Sequence, residues 1–392
     1  MGIKPDKHLM GFASIPFFLI ISVMISKNFS LRTQKALSHL LEHLPKEERN
    51  YVVFDCDGTL LYGDSQLVLT ADQIEYLNFA FSPEELSHIF IAGNEDVWSK
   101  EENGISIPTL LRAVLEDYEY LYSKGFVSKD IENYKRINEW KVNGIFCDFK
   151  IRLHHLLDKV YSLWGYEASS YIVYSLFKGF TREEYLLLAS MSHKRHGEIS
   201  GLMKESYVHP ETKETVSFYK GLHPIVEMRE LIDTLLEKGI DVYVASASPE
   251  LTVKNALNKF GYSPRIKIFG IENKIDKKGR ITAYKEKENH ASPIQYGKVE
   301  TIEKYIAPLY EGHSPLMVFG DSEGDVAMLT HFEDSKLSFL FDDGSPSKTD
   351  TMKEMAREQE KKDFGDEKIF LLEGKNNPKA ILTGTSKSIC FD

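Results

Sequence analysis

The ten residues Tyr51-Val-Val-Phe-Asp-Cys-Asp-Gly-Thr-Leu60 constrain the chain more than any other stretch. A β-branched and aromatic run stops at two carboxylates one residue apart, Asp55 and Asp57, and then turns on Gly58. An unbroken apolar run of this length reads as a strand buried on both faces, as a parallel sheet requires. Such a strand delivers its acids to its C-terminal edge, where open α/β sheets place their chemistry. Side chains two apart on an extended chain share a side, so Asp55 and Asp57 point together and Cys56 points away into the packing.

Three later stretches repeat the logic. Asp241-Val-Tyr-Val-Ala-Ser-Ala-Ser248 is a second buried strand, ending in hydroxyls, and Pro249-Glu250-Leu251 opens a helix that Ser248 is placed to cap. The helix before it spans 224–238, with Pro224 suited to its first turn and Gly239 to its stop. Tyr296-Gly297-Lys298-Val299-Glu300 opens an amphipathic helix, and the strand at 315–320 runs into Asp321-Ser322-Glu323-Gly324-Asp325. Segment 268–284 reads as strand, turn and strand. Segments 336–341 and 368–372 read as further strands, separated by a mixed-charge helix at 349–362 expected to be a solvated face.

These stretches resemble, in order, the four motifs of the haloacid dehalogenase-like phosphohydrolases. Asp55-Cys56-Asp57-Gly58-Thr59 is similar to the first, Ser246 at its strand end to the second, Gly297-Lys298 to the third, and Gly320-Asp321-Ser322 with Asp325 to the fourth. The resemblance covers residues 51–60 and 223–329. It implies an α/β fold, a Rossmann-like parallel sheet core with an α-helical cap domain inserted between the first two motifs. The expected divisions are 1–28 as a signal peptide or membrane anchor, 29–62 with 218–392 as the core, and 63–217 as the cap.

The resemblance also implies roles. Asp55 is the nucleophile that forms an aspartyl-phosphate, and Asp57 protonates the leaving alcohol and later activates water. Ser246 and Ala247 bind the phosphate, and Lys298 neutralises it. Mg²⁺ is held by Asp55, the main-chain carbonyl of Asp57, and Asp321. Asp325 supports Lys298 or a metal-bound water, with Thr59 a further supporting residue. Three carboxylates converging on a phosphate would repel one another without a metal and a lysine, which is an electrostatic reason for both.

The second aspartate discriminates within the family. Halide-removing relatives do not need an acid there, and ion-pumping relatives carry threonine with many membrane spans. Hydrolysis of a phosphate monoester remains, with phosphate transfer between substrate positions as the enzymatic alternative. A third reading, an exported phosphate-ligand-binding protein without turnover, gives no reason to keep an acid beside a nucleophile. The motifs look most like the phosphoserine phosphatase branch, including its exported phosphorylcholine phosphatase relatives. The expected substrate is therefore a small phosphorylated metabolite, either a phosphoserine-like one or an amino-alcohol phosphate such as phosphocholine or phosphoethanolamine.

Between the motifs the apolar period becomes helical, for example over 107–122, 151–163 and 182–193. This segment is rich in aromatics, among them Trp98, Trp140 and Trp164. They read either as helix-to-helix core or as walls of a cage for a substrate cation. His193-Lys194-Arg195-His196 reads as a solvated face or as a phosphate contact.

A net charge of −11 argues against nucleic acid as the main partner, because phosphate backbones reward clustered Lys and Arg. The apolar run at 9–25, broken by Pro16 and flanked by Lys4 and Lys7, fits a cleaved signal, an uncleaved anchor or a buried helix. The first two imply export, periplasmic or extracellular. Three cysteines show no paired metal-ligand spacing. Cys147 and Cys390 could pair in an oxidising compartment if the fold brings them together.

Overall fold

A computed structural model describes residues 25–44, 49–91, 101–102, 105–140, 144–286, 290–342, 344, 349–365 and 367–391. Seven strands form its central sheet: β1 Tyr51–Phe54, β2 Asp241–Pro249, β3 Lys267–Ile271, β4 Met317–Gly320, β5 Leu337–Asp342, β6 Ile369–Asn376 and β7 Ile381–Leu382. They lie in the order β7-β6-β5-β4-β1-β2-β3, all parallel except β7, which runs antiparallel to β6. β1 is flanked on both sides, with Val52 opposite Met317 and Val242.

Alternation divides β1 between two apolar layers. Val52 and Phe54 pack with helices Leu31–Glu42, Val226–Glu237 and Glu250–Lys259, through Leu37, Ile232 and Val253. Tyr51 and Val53 pack on the opposite face with Ile302, Met328 and Met352. Burial on both faces is why these strands read as unbroken apolar runs.

The expected helix at 224–238 starts later, at Val226, because His223 and Pro224 pair antiparallel with Tyr62 and Leu61. That two-residue ribbon joins the ends of the segment inserted after the first motif. The mixed-charge helix, Asp350–Gln359, is not wholly solvated: it buries Met352, Lys353 and Ala356 on the sheet. Lys353 Nζ lies 3.0 Å from Asp342 Oδ1, so a buried lysine is paired there.

The inserted segment carries helices Ser65–Glu75, Pro83–Ile91, Ile107–Ser123, Asn133–Trp140, Gly144–Ser175 and Arg182–Gly197. The long fifth helix breaks at Gly165, whose φ of +81° few other residues adopt. A hairpin follows, Met203–Val208 with Thr215–Lys220, that the helical reading did not contain; its second strand runs across residue 217. The insert has its own core, in which Phe79 meets Tyr118 edge to face with ring centroids 5.6 Å apart.

Trp98 and the apolar run at 9–24 lie outside the described residues, as does the Trp140 side chain. Among the described residues no helix is long and apolar enough to cross a membrane. Cys147 and Cys390 are both exposed, and among the described residues no disulfide joins them.

Candidate active site

The peptide after β1 stays in the sheet, with Asp55 N donating to Phe319 O of β4 at 2.9 Å, so the first carboxylate leaves the strand with its backbone fixed. The chain then turns at Gly58 with φ of +82°, where any side chain would collide with the Asp321 carboxylate. Glycine is needed there for both conformation and space.

Lys298, in the short helix Gly297–Thr301, places Nζ 2.5 Å from Asp55 Oδ1 and 2.5 Å from Asp325 Oδ1. All three side chains are buried. Burial alone would pull the ammonium down, but Asp325 and Asp55 outweigh it and hold Lys298 above its ordinary range. Burial pushes Asp55 up while Lys298 opposes the shift. Asp325 Oδ2 accepts from Asp321 N at 3.1 Å and Ser322 N at 3.0 Å, so one buried carboxylate ties the lysine to the loop carrying Asp321.

Asp55, Asp321 and Asp325 each offer an oxygen within 4.8 Å of the others. Burial also pushes Asp321 upward, against the pull of Lys375. A set of hard oxygens, two of the three carboxylates buried and Asp321 partly so, whose charge the protein only partly balances fits a hard divalent cation such as Mg²⁺.

Asp57 is held by its surroundings. Its Oδ1 accepts from Ser65 N at 2.8 Å, and its Oδ2 from Ser65 Oγ at 3.2 Å and Ser248 Oγ at 2.7 Å. Ser248 therefore does not cap the following helix, whose N-cap is Pro249 with no side-chain hydrogen bond. β2 continues through Pro249, which keeps the Ser248 side chain at the sheet edge. Ser246 Oγ accepts from Ser248 N at 3.1 Å. Thr59 stands apart: it is fully buried, and its hydroxyl has no hydrogen-bond partner among the described residues.

A cavity of about 700 Å³ opens over this floor of Asp55, Asp57, Ser246, Ala247, Lys298 and Asp321. Its far wall comes from the insert: His154, Leu157, Tyr161 and Tyr166 of the long helix, and Phe218 and Tyr219 of the hairpin. Trp164 is not in that wall, because it packs against the insert's own core. The aromatic wall consists instead of tyrosines and phenylalanines, including Phe391, whose ring lies 5.4 Å from that of Tyr219.

The basic cluster is exposed at Lys194 but not along its whole length, and none of its four residues lines the cavity. His193 and His196 are buried, and Arg195 donates to Asp72 Oδ2 at 2.7 Å. The His193 ring lies 2.8 Å from Asn255 Oδ1 and 3.1 Å from Ser65 O, behind the residue that holds Asp57.

Asp64, Ser248 as a partner of Asp57, and Lys375 also line the cavity, and sequence reasoning did not single them out in these places. Asp64 caps helix Ser65–Glu75, with Oδ1 accepting from Gln66 N at 2.9 Å and Leu67 N at 2.7 Å. Desolvation, with Asp57 nearby, pushes it up to about 8. An Asp just ahead of an apolar helical period is a readable N-cap signal. Lys375 sits at the end of β6 and donates to Gly58 O at 2.6 Å and Asp321 Oδ2 at 3.1 Å. No local pattern marks it.

A family model described as haloacid dehalogenase-like hydrolase matches residues 50–332. No sequence among the curated proteins matches the chain. Among solved structures, a conserved protein of unknown function from Anaerococcus prevotii DSM 20548 superposes with a TM-score of 0.76 at 22% identity, covering 93% of this chain and 98% of that one. That likeness shows a shared fold. A phospho-aspartyl intermediate analogue of phosphoserine phosphatase superposes with a TM-score of 0.33 at 14% identity, covering 75% of this chain and 87% of its own. A resemblance that loose does not bear on function.

Proposed function

The chain belongs to the haloacid dehalogenase-like hydrolases, and from that membership we propose that it hydrolyses a small phosphate monoester through an aspartyl-phosphate on Asp55, with Mg²⁺ as its metal. The observation that carries this reading is the buried Asp55–Lys298 pair on the floor of the cavity, with Asp57 beside it. A nucleophilic carboxylate has to be ionised, and burial opposes that unless a fixed cation stands next to it. Lys298 is that cation.

In the proposed reaction a carboxylate oxygen of Asp55 attacks phosphorus as the bond to the leaving oxygen breaks. The leaving oxygen takes a proton from Asp57. Asp57 then takes a proton from the water that attacks the phosphoryl group, which releases phosphate and regenerates Asp55. The Oδ2 partners of Asp57, Ser65 Oγ and Ser248 Oγ, are hydroxyls able to accept as well as donate, so that oxygen keeps its partners with or without a proton. Ser246 and Lys298 are the proposed phosphate ligands. Mg²⁺, when bound by Asp55 and Asp321, supplies charge neutralisation on the phosphoryl oxygens.

We take the leaving group to be a small amino alcohol, as in phosphocholine or phosphoethanolamine. Two features support this. Among the described residues no cation pairs with Asp64, so a substrate cation would favour its ionised form. Tyr161, Tyr166, Phe218 and Tyr219 supply the aromatic faces on which quaternary ammonium groups rest. The flanked apolar segment at 9–25 supports export, as a cleaved signal or as an anchor.

A phosphatase assay with and without EDTA tests the reaction. A panel running from phosphoethanolamine to nucleotide-sized esters tests the substrate, since the cavity has room for either. Turnover unaffected by chelation, or absent on every ester, removes the proposal.

A further inference from the structure

The acidic cluster meets a second buried ammonium. Lys375 is 4% exposed, and its Nζ donates to Gly58 O at 2.6 Å and to Asp321 Oδ2 at 3.1 Å. Its backbone is fixed on both sides, the N–H donating to Ser388 Oγ at 2.7 Å and the carbonyl accepting from Ile389 N at 2.8 Å. Nζ also lies 5.3 Å from the centre of the Phe341 ring. Lys298 already pairs with Asp55 and Asp325, so of the three carboxylates Lys375 pairs with Asp321.

The charges decide what this does. The cluster offers the three carboxylates of Asp55, Asp321 and Asp325 against the two ammonium groups of Lys298 and Lys375. A divalent ion drawn to Asp321 arrives beside a cation already there, and like charges this close repel strongly inside a protein. A buried lysine that loses its carboxylate partner also suffers desolvation without compensation.

We infer that Lys375 is a resident counter-charge that competes with the divalent metal for Asp321, balancing the cluster before the metal arrives and weakening the metal's affinity. The inference rests on the metal assignment of the proposed function. Its rival is that Lys375 only orients Asp321 for the metal, and the rival predicts the opposite sign.

Mg²⁺ titrated calorimetrically into the full chain without substrate separates the two. Lys375→Gln keeps a donor for Gly58 O and removes the charge, Lys375→Met removes both, and Lys375→Arg keeps the charge. The Gln and Met variants should bind Mg²⁺ more tightly by about tenfold or more, and the Arg variant like the parent. If Met alone unfolds, Gln still carries the comparison. Unchanged or weaker Mg²⁺ binding by Lys375→Gln overturns the inference and leaves the metal assignment standing. Absence of Mg²⁺ uptake by the parent and every variant overturns both, a result distinct from the first.

Discussion

The Ser248 hydroxyl donates a 2.7 Å hydrogen bond to Asp57 Oδ2, which links the end of β2 to the second aspartate of the first motif. Together with Ser65 it fixes the orientation of the proposed acid. Ser248→Ala removes one of the two Oδ2 partners and leaves the Ser65 N bond to Oδ1 intact. A lost hydrogen bond to a charged group is worth about 1.5–3 kcal/mol, so kcat should fall by roughly ten- to a hundredfold. The melting temperature should hold, because Pro249 and not Ser248 is the N-cap of the next helix. A drop in Tm with unchanged kcat would restore the capping role.

The two aspartates of the first motif should fail differently. Asp55→Ala removes the proposed nucleophile, so turnover and any trapped aspartyl-phosphate should both vanish. Asp57→Asn keeps the nucleophile and loses leaving-group protonation, worth roughly 10²–10⁴-fold. An ester with an acidic leaving group needs that proton less and should lose less. Equal losses on aryl and alkyl esters contradict the acid role.

The motifs were legible because their chemistry demands particular residue types at strand ends, and buried strands announce themselves as apolar runs. Asp55, Asp57, Ser246, Ala247, Lys298 and Asp321 are accordingly brought to one cavity. Lys375 was not legible, since its partner Gly58 lies 317 residues away and nothing local distinguishes it from a surface lysine. The hairpin at 203–220 was missed for a different reason. Only Val216 among its strand residues is buried, so little apolar alternation is written into them. Ser248 satisfied a local capping rule, but the strand continued past it and gave its hydroxyl to Asp57. Most aromatics of the insert pack among themselves, as Phe79, Tyr118 and Phe149 do, so their number was a guide to core rather than to cage.

Asp321→Asn should weaken Mg²⁺ with little change in fold. The backbone of Asp321 is held by Asp325, which the substitution leaves in place. The amide can still accept from Lys375 but carries no charge. Mg²⁺ affinity measured by calorimetry should drop by roughly tenfold or more, and the Mg²⁺ concentration for half-maximal rate should rise in step. A rate that keeps the parent's Mg²⁺ dependence would show that Asp321 is not a ligand.

Asp64 gives the substrate proposal a pH signature. Desolvation, reinforced by Asp57, raises this carboxyl to about 8, so below that pH it is largely neutral and above it ionised. Only the ionised form attracts a substrate cation. The informative quantity is the ratio of kcat/KM for phosphocholine to that for 3,3-dimethylbutyl phosphate, which keeps the shape and removes the charge. Titration of the phosphate itself affects both esters and cancels in the ratio. The ratio should climb as pH rises from about 6.5 to 9, since deprotonation creates the partner the cation needs. The aromatic wall adds a part independent of pH, about 0.5–2 kcal/mol or a few-fold to thirtyfold, which Tyr161→Leu or Tyr166→Leu should reduce. Asp64→Asn should flatten the pH dependence while sparing helix Ser65–Glu75, because an asparagine oxygen caps Gln66 N and Leu67 N as an aspartate does. A ratio near one at every pH would remove the cationic head group altogether and leave a general phosphomonoesterase; a high but pH-independent ratio would assign the preference to the aromatic wall and release Asp64 to its capping role alone.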